Sequence, residues 1–298
     1  MMEKKKDGFQ GQKAIVLPSS IISKYCLKNP VIAGAYITDI GYYPKARFHY
    51  RVRQKGIDQH ILVYNTEGEG WVEIDDQKYD IHPGDFFIVP AGKYNCYAAD
   101  EKKPWTIYWI HFKGATADAI VNTFYDKNRS YQGSVSFNQQ RQKIFDEMYK
   151  HLERGYGHDN LTYVNMILLH FLSSFLYDEV FNHSQPGDGS QDIVNRSIHY
   201  MQENIQETLS LENLAAQVNV SVSHYSNLFR KKCGFSPIEY FNHLKIQKAC
   251  QYLQFTDMRI KEIASNIGVE DPYYFSRLFT KVMSTSPKEY RARFNYKM

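Results

Sequence analysis

The sequence predicts a two-domain α+β protein, with a β-barrel or jelly roll at the N-terminus and an all-α domain at the C-terminus. Three observations carry this. Between about 31 and 113, short β-rich segments alternate with turn residues every eight to twelve positions, the pattern of a sandwich or barrel. From about 115 the apolar spacing becomes helical. The last hundred or so residues repeat themselves, at an offset of 49 in the upstream part and 50 from Leu228 on.

The strand segments follow in order. Residues 60–65 are β-rich, and Gly68-Glu69-Gly70 turns the chain. Residues 71–74 alternate, Asp75-Asp76 turns again, and 78–82 leads into Pro83-Gly84-Asp85. Residues 86–89 end at Pro90-Ala91-Gly92, and 105–112 form a further strand. Upstream, residues 1–30 read as an arm, with a basic start followed by Ile15-Val16-Leu17-Pro18.

Ile144, Phe145, Met148 and Leu152 recur at helical spacing, as do Val164, Ile167, Leu168, Phe171, Leu172 and Phe175. The second set covers more of a helix than one packing surface needs. The helices of 139–182 are therefore expected to form a homodimer contact, with packing on the barrel alone as the alternative. The domains expected are 1–182 and 191–298, joined by a polar, breaker-rich linker at 183–190.

Composition narrows the function. The net charge is +4, and 191–298 holds 14 Lys+Arg against 10 Asp+Glu, so the whole excess lies there. Such a domain is attracted to nucleic-acid phosphates. The four cysteines are scattered without a CxxC pair, which argues against a zinc site or a disulfide framework. No apolar run of signal-peptide length follows the Lys-rich start, and no run reaches the length of a membrane span. A soluble, cytoplasmic protein without a membrane partner is expected.

Each copy of the repeat parses as two helices around a tight turn. Leu211, Leu214 and Ala215 match Ile260, Ile263 and Ala264, while Leu228-Phe229 matches Leu278-Phe279. Asn219 and Gly268 suit the positive φ of a sharp turn. Ser221 and Asp271 suit the following N-caps, with Pro272 at a first helical position. Ser-Pro-x-Glu after each copy, at Ser236 and Ser286, reads as a capping box. In each second helix one face points inward. The opposite face carries Val222, Ser223, Ser226, Asn227 and Arg230 in the first copy. It carries Pro272, Tyr273, Ser276, Arg277 and Thr280 in the second. Those are base-reading positions near the N-terminus of a recognition helix in double-stranded DNA. Arg277 can pair bidentately with guanine and Asn227 with adenine. Arg230, Lys231, Lys232 and Lys281 suit phosphate contacts.

On these residues, and on the stretch from Gly268 through Phe275-Ser276-Arg277-Leu278-Phe279 to Ser286-Pro287-Lys288-Glu289-Tyr290-Arg291, the C-terminal region resembles the DNA-binding domain of AraC/XylS-family bacterial transcription regulators. The resemblance implies seven helices in two helix-turn-helix subdomains. It assigns base reading to Ser223, Ser226, Asn227, Pro272, Tyr273, Ser276 and Arg277. The first recognition helix has no Arg or Gln at its base-facing positions.

Residues 31–113 resemble the sugar-binding cupin domain of arabinose-type regulators, through Pro83-Gly84-Asp85, Pro90-Ala91-Gly92, Arg53-Gln54-Lys55-Gly56 and 105–112. The resemblance places Arg53, Tyr97 and Trp109 on a small-molecule inducer, a sugar, with Ile107 where a polar group is usual. Trp71 is a further candidate from its aromatic face alone. Metal cupins resemble one another in an H-x-H pair, which is missing, and Asn95 stands where a second His would be expected. No metal, cofactor or catalytic residue is therefore expected, and no enzyme. The expected function is an inducer-responsive activator, with RNA polymerase as a candidate partner. The rival readings are a metal-dependent cupin enzyme fused to a DNA-binding module, and a ligand-independent regulator whose barrel only dimerises.

Overall fold

The computed structural model describes residues 4–183 and 193–294, and the chain divides into two compact units, Met1–Pro186 and Gly187–Met298. Most of the stretch expected as a linker, 184–190, lies outside the described residues.

The first unit begins with β1 (Lys13–Val16) and α1 (Ser19–Ile21), which continues as a π-turn, Ile22–Cys26. Then come β2 (Tyr36–Tyr43), β3 (Tyr50–Arg53), β4 (His60–Glu67), β5 (Gly70–Ile74), β6 (Gln77–Ile81), β7 (Asp85–Val89), β8 (Asn95–Ala99) and β9 (Thr106–Lys113). After them come α2 (Ala115–Asn128), β10 (Gln132–Ser134), α3 (Gln139–Glu153), α4 (His158–Leu176) and α5 (Asp178–His183). The strands form a six-stranded sheet, β1-β2-β9-β4-β7-β10, and a four-stranded sheet, β3-β8-β5-β6. Every pairing in them is antiparallel.

Strand alternation builds two cores from one sheet. On β4, Ile61 and Val63 face the space between the sheets, while Leu62 and Tyr64 face the helices. On β9, Ile107 and Trp109 face inward, and Ile110 and Phe112 face the helices.

Two expectations change here. The arm is built into the unit rather than standing free. Lys13–Val16 pairs with β2, and Phe9 is buried in the inter-sheet core. Its short length and the intervening Gly8 and Gly11 hid a strand that is legible only once β2 offers an edge. The broad apolar face of α4 is also spent within the unit. Val164, Leu168, Phe171, Leu172 and Phe175 are buried against the sheet and α3, and Ile167 is partly buried beside them. Tyr163, Met166 and Leu169 stay exposed on the same helix.

Among the described residues the second unit holds seven helices. They are α6 (Ile193–Glu203), α7 (Leu211–Gln217), α8 (Val222–Cys233), α9 (Pro237–Phe255), α10 (Ile260–Asn266), α11 (Pro272–Met283) and α12 (Pro287–Phe294). One core gathers Val194, Met201, Leu214, Ala215, Tyr225 and Phe229, and a second gathers Ile263, Ala264, Ile267, Phe275 and Phe279. α9 serves both, giving Phe241 to the first and Ile246, Ala249 and Leu253 to the second.

The helix ends follow the local chemistry of the sequence. Ser221 accepts from the His224 amide, and Asp271 accepts from the amides of Tyr273 and Tyr274. Ser236 and Glu239 close a reciprocal capping box with Pro237 at the first position. Asn219 and Gly268 hold φ of 58° and 65° in the two turns. One residue separates Asn219 from its cap, and two separate Gly268 from its own, which accounts for the change of offset within the repeat.

Candidate DNA-reading face and sensor cavity

The two recognition helices present matching faces. Positions 221–230 and 271–280 have the same order of exposed, intermediate and buried residues. Tyr225 and Phe229 are buried in α8, as are Phe275 and Phe279 in α11. That leaves Ser223 and Asn227, with Tyr273 and Arg277 at the matching positions, in solvent near the helix N-termini. Val222, Ser226, Pro272 and Ser276 are only partly exposed. The Ser276 hydroxyl is moreover committed to the Pro272 carbonyl at 2.9 Å. Arg230, Lys231, Lys232 and Lys281 are exposed towards the C-terminal ends. There they complement the helix dipole and can reach a phosphate backbone. His224 and Tyr274 share the exposed first turn and were absent from the sequence assignment. Their position three residues after each N-cap was the signal available.

Between the two sheets lies a cavity of about 180 Å³, lined by Arg53, Tyr97, Trp109 and Ile107 among others. Arg53 reaches it from β3, and its Nη1 donates to Asn95 Oδ1 at 3.1 Å and to the Tyr97 hydroxyl at 3.2 Å. The guanidinium carbon also sits 5.6 Å from the centre of the Tyr97 ring. Asn95 thus orients an arginine. Among the described residues no three His, Cys, Asp or Glu side chains converge where a metal could bind. Trp109 packs over Gly41, where a β-carbon would lie 2.3 Å from the indole Cζ2. Its indole Nε1 is buried and has no hydrogen-bond partner among the described residues. An unpaired buried N–H is costly, and a ligand acceptor in the cavity would satisfy it.

Residues that the sequence reading left unassigned complete the lining. His49 accepts from the Trp105 indole N–H at its Nδ1, which leaves Nε2 to carry the ring proton. Burial, with the charges of Arg51 and Arg53, pushes the His49 pKa down to about 3. Asp39 and His111 pair at 3.5 Å on the same wall. Burial pushes the Asp39 carboxyl up, but the hydrogen bond and charge of His111, together with Thr38 and Arg53, outweigh it and hold the pKa below the ordinary value. Burial lowers the His111 pKa despite Asp39. Phe9 packs against two residues of this lining, 5.1 Å from the Tyr43 ring and 5.2 Å from His49. The loop carrying it is held by Gln12, whose side-chain oxygen accepts from the amides of Gly8 and Phe9.

Trp71 does not line this cavity. On β5 the inward positions are Val72 and Ile74, so Trp71 points away from the cavity. Lys78 covers its ring at 4.6 Å, and it lines a separate surface groove. The structure therefore brings Arg53, Tyr97 and Trp109 together and leaves Trp71 apart.

Known proteins share both units. Residues 214–293 match the family model of a helix-turn-helix domain, and 41–162 match that of an AraC-like ligand binding domain. The MmsAB operon regulatory protein of Pseudomonas aeruginosa is 31% identical over 286 residues, covering 93% of this chain and 89% of that protein. The lactose operon transcription activator of Staphylococcus xylosus is 27% identical, covering 85% and 89%. The arabinose operon regulatory protein of Escherichia coli is 26% identical, covering 80% and 82%. A duplicated pair of recognition helices and a ligand-binding barrel, matched together over nearly the whole chain, place this chain in the AraC family of DNA-binding transcription regulators.

Proposed function

We propose that this regulator responds to a sugar bound in the barrel cavity and activates transcription of carbohydrate-use genes as a cytoplasmic homodimer. The observation that carries the sensor reading is the buried indole N–H of Trp109, without a hydrogen-bond partner among the described residues, on a residue that lines the same cavity as Arg53 and Tyr97. Aromatic faces stack on the apolar faces of sugar rings, and N–H donors fix the hydroxyls. The volume of about 180 Å³ lies below the usual range of roughly 300–1,000 Å³ for ligand pockets, which favours a small ligand. Relatives named for lactose and arabinose operons support the class, and one named as an activator supports the direction. An activator in this family would take RNA polymerase as its partner. Tyr163, Met166 and Leu169, exposed on α4, are the dimer contact this reading assigns.

In the DNA-binding unit, Ser223, Asn227, Tyr273 and Arg277 read bases, with Val222, Ser226, Pro272 and Ser276 beside them. Arg230, Lys231, Lys232 and Lys281 hold phosphates. Inducer binding would act by favouring one arrangement of the N-terminal segment and the dimer helices over another.

The test is thermal melting of the full chain against a panel of mono- and disaccharides, with a duplex mobility shift for each sugar that stabilises it. A ligand at a hundred times its Kd should stabilise the folded sensor by about 2.7 kcal/mol. If no sugar raises the melting temperature, the sugar-sensor reading is wrong. If sugars bind but leave duplex affinity unchanged, the coupling is wrong.

A further inference from the structure

Lys245 lies near the middle of α9, the helix that contributes to both cores of the DNA-binding unit. It is 4% exposed. Its Nζ donates to the Glu207 carbonyl at 2.9 Å, to that of Ile267 at 2.6 Å and to that of Gly268 at 3.3 Å. Glu207 belongs to the loop between α6 and α7, in the first helix-turn-helix subdomain. Ile267 and Gly268 form the turn after α10, in the second. An ammonium has three N–H donors and no acceptor, so three carbonyls from two subdomains match its capacity. Burial, only partly opposed by Glu207, lowers its pKa to about 8, which leaves it charged at neutral pH.

A second contact lies beside it. Gly268 holds φ +65°, and a β-carbon there would lie 2.0 Å from the Gln206 carbonyl oxygen. The turn of the second subdomain is therefore laid directly on the backbone of the first. Its counterpart in the repeat, Asn219, has the same handed turn but is exposed. The glycine answers this contact as well as the turn.

We propose that Lys245 is a positioning residue that locks the two helix-turn-helix subdomains at one separation, and thereby sets the spacing between the two base-pair blocks the protein reads. The shared helix packs into both cores, and the ammonium, bonded to the backbone of both, adds a direct tie between them. Its carbonyl partners are backbone groups, so the clamp is insensitive to side-chain substitution around it. Inserting one base pair moves the second block by about 3.4 Å and rotates it by roughly 35°, which a locked pair of subdomains cannot follow.

This inference rests on both subdomains reading DNA. The experiment selects bound duplexes from a randomised library with the full wild-type chain. It then measures affinity for the selected duplex, for versions with 1, 2 or 5 base pairs inserted between the blocks, and for single-block duplexes. Wild type is expected to lose about tenfold or more on a one-base-pair insertion, on the scale of a single mismatch. Lys245→Met should bind the single-block duplexes within about threefold of wild type and should lose most of the insertion penalty, to under roughly threefold. Lys245→Arg, which keeps charge and donors, should restore it. A Lys245→Met protein with the wild-type spacing profile overturns the proposal, whatever its absolute affinity, and so does a flat profile in wild type. Should Lys245→Met fail to melt cooperatively, Gly268→Ala wedges the same contact and keeps the lysine. An unchanged profile there also overturns the proposal. If wild type selects no sequence, or only one block, the two-subdomain reading of DNA has failed and this inference falls with it.

Discussion

The indole N–H of Trp105 donates to Nδ1 of His49 across 3.2 Å, inside the barrel. The bond requires a neutral imidazole, and the ring is 2% exposed beside Arg51 and Arg53. Its folded pKa of about 3 lies well below the ordinary value of 6.5. The unfolded chain therefore takes up a proton first as the pH falls. Stability from this group is complete above 6.5 and is lost progressively down to about 3, with about 2 kcal/mol gone by pH 5. The three tryptophans, Trp71, Trp105 and Trp109, all lie in the first unit, so their fluorescence reports its unfolding. Denaturant unfolding at pH 7 and pH 5 should show the loss in wild type and a reduced loss in His49→Gln. Equal losses in the two proteins would contradict the assignment.

Much of this fold was legible because its signals were local. The capping boxes at Ser236, the positive-φ turns at Asn219 and Gly268 and the inward Tyr225 and Phe229 each depend on neighbours a few residues away. The cavity is different. Arg53 meets Asn95 and Tyr97 across 42 and 44 residues, and only a resemblance to known proteins joined Arg53, Tyr97 and Trp109 in advance. His49, Asp39 and His111 sit on separate stretches of sequence, and only the register that sets Asp39 of β2 opposite His111 of β9 brings them onto one wall. The same holds for Trp71: an aromatic residue on a strand can be assigned to one face or the other only after its parity is known. The separate roles of Gly268 and Asn219 were also hidden, since both suit a turn and only packing separates them.

Parity yields the next prediction. Trp109 faces the cavity with an unpaired N–H, and Trp71 faces outward under Lys78. Trp109→Phe should weaken the most stabilising sugar by tenfold or more, about 1.4 kcal/mol. It should change ligand-free stability by less than about 1 kcal/mol, because removing an unsatisfied donor offsets the lost apolar area. Trp71→Ala should leave affinity within about twofold. Fluorescence or calorimetric titration of both variants decides the matter, and a sugar that ignores Trp109 but needs Trp71 would place the site in the surface groove.

Arg277 and Lys281 lie one turn apart on α11, both exposed, and should fail in different ways. Arg277→Ala should cost about 1–3 kcal/mol on the selected duplex and relax preference at one position, as expected for a bidentate base contact. Lys281→Ala should weaken all duplexes nearly uniformly and reduce the salt slope of log K by about one unit. Binding measured at several salt concentrations on matched and mismatched duplexes separates the two. A uniform loss for Arg277→Ala would move it from base reader to phosphate contact.

The repeat also exposes an uncorrected local cost. Gly234 ends α8 in the left-handed conformation at φ 76°, and Ser284 occupies the matching position after α11 at φ 54°. Both amides make the same closing bond, to Arg230 and Thr280 at 2.9 Å. A residue with a β-carbon pays about 1 kcal/mol or more in that conformation, while glycine does not. Glycine gives back part of the gain by enlarging the unfolded ensemble. Ser284→Gly should therefore stabilise the DNA-binding unit by about 0.5–1 kcal/mol, and Gly234→Ala should destabilise it by a similar amount. Far-ultraviolet circular dichroism during denaturant unfolding of the full chain would register both, because the second unit is helical throughout its described elements. Neither substitution touches the exposed first turn of a recognition helix, so duplex affinity should hold within about twofold. A loss of stability in Ser284→Gly would mean that the serine hydroxyl supplies a contact outweighing the backbone strain.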